Sequence, residues 1–244
     1  MKISPLFILP NLFTAGSIFL GMLSIIAASH DRFMLACWLI VISMILDGLD
    51  GRVARLTNTS SKFGVEFDSL ADIVAFGVAP AMLLFFYAGE SYGRLGQVVP
   101  ALFVIFGAIR LARFNITTSN EPNFFIGLPI PSAAIFIVLW ILIDLDYSIF
   151  ATSMLPLLIG AFVVGILMVS NIRYPSFKKM QWNLKSFIIL VILLGIIFVY
   201  PPEAICAIIS GYVVYGVVRW IMLFGKILCK LEHSKTQKTK GDHD

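Results

Sequence analysis

Charged residues are scarce in this chain. Only 13% of its 244 residues are Asp, Glu, Lys or Arg, whereas 59% are apolar, and the mean hydropathy is +0.94. Soluble domains carry about 25% charged residues, so the composition excludes a disordered, fibrous or ordinary soluble protein. A bilayer span needs roughly 20 apolar residues. The length therefore accommodates about eight spans, and we predict an all-α polytopic membrane protein.

Cysteine and histidine are also rare, with three of each. The cysteines lie in or at the ends of apolar runs and form no spacing motif, so we expect them to be buried free thiols. His30 falls in a predicted outer loop, and His233 and His243 fall in the C-terminal tail. No histidine is therefore expected near the charged cluster described below.

Eight apolar runs divide the chain, at 6–29, 33–57, 64–88, 97–117, 129–145, 151–170, 186–200 and 203–228. They are continuously apolar rather than alternating, which favours helices over the strands of a barrel. The fifth and seventh runs are short for a full span, so six or seven spans is the alternative count. We assign 1–228 to one integral-membrane catalytic domain and 229–244 to a basic, flexible cytoplasmic tail.

Lys and Arg lie almost entirely on one predicted side. With eight spans and the N-terminus inside, sixteen of the eighteen fall on the inner side, and only Arg32 and Arg94 fall outside. This distribution predicts that both termini are cytoplasmic. The outer loops hold acidic residues instead, namely Asp31, Glu90, Asp144, Asp146 and Glu203. The basic charge thus indicates topology rather than nucleic-acid binding, and the tail either lies on anionic lipid headgroups or is simply solvated.

The segment 46–72 is an exception to the scarcity of charged residues. Its aspartates and arginines lie at the ends of two adjacent apolar runs: Asp47, Asp50, Arg52, Arg55, Asp68 and Asp72. Ionisable groups within a span cost about 2.5–3.5 kcal/mol even on lenient insertion scales. Such residues are functional candidates by default. The alternative is a polar helix hairpin held by Asp–Arg ion pairs, which would leave most of the carboxylates unexplained.

Helical spacing gathers these carboxylates on one face. Asp47 and Asp50 are three residues apart, and Asp68 and Asp72 are four apart on the next helix. A polar turn at 57–62 would fold the two helices against each other. Three small residues, Gly51, Ala54 and Gly64, lie on the same faces. They allow either close backbone contact or access of a ligand.

Four adjacent carboxylates cannot all ionise without cations. Two divalent ions would balance their charge, and ligands that are all oxygen favour Mg²⁺ or Mn²⁺ over zinc. Paired metals suit displacement at phosphorus, because they neutralise the phosphate oxygens and the leaving group together. Arg55 is close enough in sequence to hold a diphosphate oxygen.

Written with its spacings, the segment is Asp47-x2-Asp50-Gly51-x2-Ala54-Arg55-x8-Gly64-x3-Asp68-x3-Asp72. It resembles the signature of the CDP-alcohol phosphotransferase family and agrees with it at all eight positions. Eight such residue types would coincide by chance at roughly one start in 10⁹–10¹⁰. The resemblance implies a catalytic core of six transmembrane helices and an enzyme that displaces CMP from a CDP-linked lipid with an alcohol.

The resemblance also implies roles for individual residues. Asp47, Asp50, Asp68 and Asp72 would be the ligands of two metal ions, and Asp72 would be the general base as well. The CDP-lipid pocket would be lined by Gly51, Ala54 and Gly64, with Arg55 near the diphosphate and with Asn11 and Thr14 of the first helix at its border.

Three further segments resemble the branch of the family that uses serine. They are Pro10-Asn11-Leu12-Phe13-Thr14, Arg110-Leu111-Ala112-Arg113-Phe114-Asn115 and Gly127-Leu128-Pro129-Ile130-Pro131. This resemblance implies transfer of a phosphatidyl group from CDP-diacylglycerol to L-serine, giving phosphatidylserine and CMP. We expect the enzyme in the bacterial inner membrane, with its active site facing the cytoplasm.

Serine carries a carboxylate, so its site should contain a cation. Arg110 and Arg113 lie three residues apart at the end of the fourth run, level with the aspartates, and could bind the serine carboxylate or the lipid phosphate. The alternative is that they only anchor the helix by snorkelling.

Glycines in the last run, at 211, 216 and 225, allow close helix packing or a homodimer.

Serine is a poor nucleophile at neutral pH, so we expect a general base and one in-line displacement at phosphorus. The histidines lie too far from the aspartates for a covalent route.

Three competing functions stay open. The first is the same chemistry on glycerol 3-phosphate or inositol phosphate. The others are an ion or proton transporter that uses intramembrane aspartates and a non-catalytic lipid-binding scaffold.

Overall fold

The computed structural model describes residues 8–59, 61–117, 124–175, 202–219 and 221–222. Its helices are α1 (Ile8–Ala28), α2 (Phe33–Leu56), α3 (Lys62–Asp72), α4 (Ala79–Leu84), α5 (Gly93–Thr117), α6 (Ile130–Tyr147), α7 (Leu155–Val169) and α8 (Pro202–Arg219). Two short strands, β1 (Phe124–Ile126) and β2 (Arg173–Pro175), pair in antiparallel fashion, with Phe125 opposite Tyr174.

The predicted helical membrane class is confirmed. By length and composition, α1, α2, α6, α8 and the continuous helical segment 62–116 can each cross a membrane, whereas α7 is apolar but has only 15 residues. These helices coincide with seven of the eight predicted runs. The seventh run, 186–200, and the tail from 223 onward lie outside the described residues. The pair of strands is an addition that hydropathy did not predict.

A seam of small polar residues holds α1 against α2. The Ser17 and Ser43 hydroxyls lie 2.8 Å apart, and Ser43 also lies 3.0 Å from the Ser17 carbonyl oxygen. Further along, the Ser24 hydroxyl donates to the carbonyl of Ala36 at 2.8 Å. Side chains this small let two backbones approach closely in an apolar environment. The seam fixes the position of the first helix beside the aspartates of the second.

The segment 62–116 contains two antiparallel spans. After α3 it passes through π-helical turns at Ile73–Val78 and Phe85–Gly89, on either side of α4, and a 3₁₀ turn at Glu90–Tyr92. The chain reverses at Gly93, whose φ of 53° suits glycine. Beyond the turn, a Cβ on Gly96 would lie 1.8 Å from the Gly89 carbonyl oxygen. The two spans therefore meet backbone to backbone.

Helix α6 lies in the core and ends at a buried carboxylate. Asp144, which the sequence analysis placed in an outer loop, lies in the last turn of α6 and is only 4% exposed. It accepts hydrogen bonds from the Tyr87 hydroxyl and from the backbone N–H of Phe150. The loop placement was wrong because hydropathy marks where an apolar run ends, not which polar side chain folds back into the core. Asp144 joins the end of α6 to the end of the span that contains α3 and α4.

Replacing Gly96 with alanine tests the glycine contact in this hairpin. The added methyl group would overlap the Gly89 carbonyl, so the two spans must separate. We expect Gly96→Ala to destabilise the protein by about 1–3 kcal/mol, the typical cost of overpacking. Thermal unfolding in detergent measures the loss as a lower midpoint.

The matched control is Gly48→Ala, at an exposed position within α2. An added methyl group there meets no atom within 4 Å, and alanine favours a helix by up to about 1 kcal/mol over glycine. Its midpoint should be unchanged or slightly raised. Equal behaviour of the two variants would contradict the proposed backbone contact.

Candidate active site

The four predicted aspartates lie on two facing helices. Asp47 and Asp50 occupy the last turns of α2, and Asp68 and Asp72 occupy α3. Between them the chain turns at residues 57–59, where Asn58 adopts a φ of 51°. The Ser61 hydroxyl then accepts a 3.0 Å hydrogen bond from the Gly64 N–H and so caps α3. The reversal makes the helix pair that the spacing predicted.

The carboxylates converge in space. One oxygen from each of Asp47, Asp50 and Asp68 lies within 4.8 Å of the other two. The carboxyl group of Asp72 lies against that of Asp47 and extends the cluster along α3. Asp50 is the most enclosed of the four, at 6% exposed. Like charges this close repel unless a cation or a proton neutralises them.

Unsatisfied polar atoms concentrate at the same place. Among the described residues, four buried side-chain atoms have no hydrogen-bond partner, and three of these belong to this cluster: Asp47 Oδ1, Asp72 Oδ1 and Arg110 Nε. An unpaired buried polar atom is costly, so such atoms call for a ligand. The carboxylate oxygens offer an all-oxygen donor set, which suits a hard divalent cation.

Helix α1 contributes directly to the cluster. The Thr14 hydroxyl, itself 3% exposed, donates a 2.6 Å hydrogen bond to Asp50 Oδ2. The Thr14 hydroxyl oxygen also lies 3.2 Å from the Pro10 carbonyl oxygen. This bond orients one carboxylate oxygen and leaves the other available. Thr14 therefore contacts the aspartate cluster from α1, a helix that contains no acidic residue.

A pocket of about 310 Å³ opens beside the aspartates. All six residues predicted for the CDP-lipid line it, together with two of the aspartates: Asn11, Thr14, Asp50, Gly51, Ala54, Arg55, Gly64 and Asp68. An added Cβ on Gly51 would meet no atom within 4 Å, and one on Gly64 would lie 3.3 Å from Ser61 Oγ. Small residues thus keep part of the space open.

The pocket also has lining residues that sequence reasoning missed: Pro10, Thr59, Ser61 and Val65. Thr59 is 7% exposed, and its hydroxyl lies 2.7 Å from that of Thr57. The signal available for Ser61 was its place as a hydroxyl residue three positions before Gly64, which is a common helix start. Nothing in the spacing distinguished Thr59 from the other polar residues of the turn.

The structure separates the two predicted arginines. Arg110 is 7% exposed, its guanidinium lies 5.1 Å from the ring centre of Phe114, and it is within electrostatic range of Asp72. Arg113 instead donates hydrogen bonds to the backbone where α7 ends, including the carbonyls of Val169 and Ser170, each at 2.9 Å. Only Arg110 is directed toward the aspartate cluster.

A side-chain bond that sequence reasoning missed joins α5 to α3. Asn115 Nδ2 donates to Ser69 Oγ at 3.1 Å, next to Asp68 in the chain. Asn115 was part of a segment singled out by resemblance, but its partner lies 46 positions away. No short-range pattern indicates a pair at that separation.

The chain belongs to the CDP-alcohol phosphatidyltransferase family, whose profile matches residues 7–170. The matched region contains both metal-binding candidate helices, the pocket and both arginines. This membership confirms the family predicted from the aspartate spacing and excludes the transporter and scaffold alternatives.

Similar proteins give the match more detail. The chain is 59% identical over 230 residues to the CDP-diacylglycerol–serine O-phosphatidyltransferase of Helicobacter pylori strain J99, covering 93% of this chain and 97% of that protein. The protein of that name from Methanocaldococcus jannaschii is 36% identical over 209 residues, which cover 85% of this chain and 92% of that protein. An archaetidylserine synthase of Methanothermobacter thermautotrophicus is 36% identical over 184 residues, which cover 73% of this chain and 74% of that protein.

Thr14 offers a test of the cluster through a residue outside the acidic helices. Thr14→Val keeps the shape of the side chain but removes the donor to Asp50. Outer-shell partners of a metal ligand typically contribute 10–100-fold in metal affinity or activity. We expect Thr14→Val to raise the Mg²⁺ or Mn²⁺ concentration needed for half-maximal activity by roughly that factor.

Thr14→Ser retains the hydroxyl and serves as the matched control. Its metal activation curve should lie close to that of the unmodified protein. Coincident curves for valine and serine would show that the Thr14–Asp50 bond does not tune the site.

Proposed function

We propose that this protein transfers the phosphatidyl group of CDP-diacylglycerol to the hydroxyl of L-serine, giving phosphatidylserine and CMP. The observation that carries the proposal is the aspartate cluster beside a pocket lined by Gly51, Ala54 and Arg55. Serine is the acceptor named for the first two relatives, and it forms part of the product named for the third. The shared part of these names is serine, although the lipid differs.

Asp47, Asp50, Asp68 and Asp72 would hold two divalent cations, Mg²⁺ or Mn²⁺. The fit rests on their oxygen donors, on the 4.8 Å grouping of three of them and on the unpartnered Oδ1 atoms of Asp47 and Asp72. Bound there, the ions would neutralise the phosphate oxygens and the leaving group. The chain's own side chains bind the substrates and move the proton.

The pocket binds the CDP portion of the lipid. Gly51, Ala54 and Gly64 leave room for the nucleotide, and Arg55 binds the diphosphate. Asn11 and Thr14 close the pocket from α1. The phosphorus that bears diacylglycerol is thereby held beside the aspartates.

Asp72 acts as the general base. It accepts the proton of the serine hydroxyl while the serine oxygen bonds to phosphorus and the bond from phosphorus to the CMP oxygen breaks. A proton acceptor must lie within hydrogen-bond reach of the hydroxyl it activates, and Asp72 Oδ1 is a buried oxygen with no partner among the described residues. One displacement of this kind inverts the configuration at phosphorus.

Arg110 binds the acceptor. Its buried guanidinium faces the cluster from α5 and would pair with the serine carboxylate or with the lipid phosphate. A planar guanidinium suits bidentate binding of such anions. Arg113, assigned to the same role from the sequence, is engaged with the end of α7 instead.

The surrounding architecture follows the charge distribution. We propose eight spans with a six-helix catalytic core, both termini in the cytoplasm and the active site on the cytoplasmic side of a bacterial inner membrane. In this proposal the catalytic domain comprises residues 1–228, and the basic segment 229–244 follows it. The glycines of the last apolar run favour a homodimer.

Release of CMP by purified protein tests the function. With CDP-diacylglycerol and Mg²⁺ or Mn²⁺, we expect serine to support CMP release and glycerol 3-phosphate and inositol phosphate to support little. Release with one of those alcohols instead of serine would reject the acceptor and keep the family chemistry.

Asp72→Asn tests the base. Because general-base catalysis contributes typically 10²–10⁴-fold, we expect kcat to fall by roughly that factor. Asp31→Asn is the matched control, since Asp31 lies in an exposed turn with a φ of 58° that asparagine tolerates. A chiral phosphorothioate substrate tests the single displacement separately, because retention of configuration at phosphorus would exclude it.

Arg110→Lys tests acceptor binding. Lysine keeps the charge but loses the bidentate fork, and a hydrogen bond to a charged group contributes about 1.5–3 kcal/mol. We expect the KM for serine to rise roughly 10–100-fold and the KM for CDP-diacylglycerol to change far less. Arg94→Lys, an exposed site on the same helix, should leave both unchanged, and an unaltered serine KM in Arg110→Lys would contradict the assignment.

A further inference from the structure

Arg113 and Arg110 lie one turn apart on α5 but have opposite surroundings. We infer that Arg113 is a positioning residue, not a substrate ligand: it fastens α5 to the end of α7 and so holds Arg110 near the aspartate cluster. This inference rests on the proposed role of Arg110 in acceptor binding. It assigns the paired arginines two different tasks.

The contacts of Arg113 engage both of its terminal nitrogens. Nη1 donates to the Val169 carbonyl at 2.9 Å and to Asn171 Oδ1 at 3.1 Å. Nη2 donates to the Ser170 carbonyl at 2.9 Å and lies 3.3 Å and 3.4 Å from the carbonyls of Ile126 and Met168. A guanidinium that serves this many protein acceptors cannot present a free fork to a carboxylate.

The end of α7 explains why a cation sits there. The last carbonyls of a helix have no intrahelical donor, and the helix dipole leaves partial negative charge at that end. Arg113 supplies both the donors and the positive charge. The bonds therefore add a polar connection between the ends of α5 and α7, two helices that also pack together where Gly165 meets Phe103 and Phe106.

Gly127 shows that the backbone is shaped around this guanidinium. Its φ is 76°, and an added Cβ would lie 2.3 Å from the Met168 carbonyl oxygen and 2.8 Å from Arg113 Nη2. The Gly127 N–H also donates to the Ile172 carbonyl at 2.8 Å. The segment after β1 thus packs directly against the Arg113 guanidinium.

Arg110, by contrast, depends on the helix backbone for its position. Its Nε atom is buried without a hydrogen-bond partner among the described residues, and its guanidinium lies 5.1 Å from the centre of the Phe114 ring. This end of α5 is nevertheless held on two sides, by Arg113 toward α7 and by the Asn115–Ser69 bond toward α3. Any rotation of α5 that loosens Arg113 would carry Arg110 away from Asp72.

A double-mutant cycle separates positioning from direct contact. We expect Arg113→Lys to lower kcat/KM for serine about tenfold or more, because one ammonium cannot serve the acceptors of a fork. In an Arg110→Lys background the same change should have less than about a twofold effect, since two residues acting through one interaction are not additive. Multiplication of the two single losses would overturn the inference, because Arg113 would then act on substrate or on the fold independently of Arg110.

Two further variants keep the test decisive. Arg94→Lys, exposed on the same helix, should be neutral alone and in the Arg110→Lys background. Asn171→Ala removes one exposed acceptor of Arg113, and we expect this variant to fold. It should lower kcat/KM for serine about threefold when Arg110 is present and should have no further effect in the Arg110→Lys background. If Asn171→Ala lowers kcat/KM for serine by less than about twofold in the protein that retains Arg110, that result also contradicts the inference.

The order of measurements distinguishes this inference from the proposed function. CMP release with serine is measured first on the unmodified protein, and a failure there rejects serine as the acceptor. The cycle is then run with whichever alcohol supports release. If Arg110→Lys alone has no effect, the acceptor role of Arg110 and the positioning role both fail, whereas a multiplicative cycle in an active enzyme rejects only the positioning role.

Discussion

Mutual repulsion among clustered carboxylates is the constraint on which this structure depends. Asp47, Asp50 and Asp68 bring oxygens within 4.8 Å of one another, and Asp72 lies against Asp47. Such a group persists only where cations, protons or donors offset the charge. The fold supplies a donor from α1 through Thr14 and a positive charge from α5 through Arg110. Helices without acidic residues thus complete the site that two acidic helices begin.

Rigid helices suit this arrangement better than loops would. A catalytic group must be held to within about half an ångström of its working position, and each aspartate here projects from a regular helix whose neighbours fix it. The serine seam between α1 and α2 places Thr14, and the bonds of Asn115 and Arg113 hold α5. The glycine contact at Gly96 brings the intervening spans together. Packing and polar contacts therefore act together to place the reactive groups.

Much of the site was predictable because its information is local. Spacings of three and four residues fix which side chains share a helix face, so the convergence of the aspartates and the small residues beside them followed from the order of residues alone. The polar turn at 57–61 joins those two faces directly. The pocket then lies where the small residues and the start of α1 meet. The separation of Arg110 from Arg113 was not predictable in this way, because residues one turn apart on a helix can face different partners.

By itself, the sequence determined the helical membrane class, most helix positions, the family and the aspartate cluster. All of these depend on periodicity or composition within a few turns of helix. The tertiary structure alone decided the hydrogen bonds of Arg113 at the end of α7, the burial of Asp144 under the Tyr87 hydroxyl and the pairing of β1 with β2. Each of those joins residues about 50 positions apart or more, and a single polar residue carries no mark of a partner at that distance. Only the packing of the spans brings such partners within reach of a hydrogen bond.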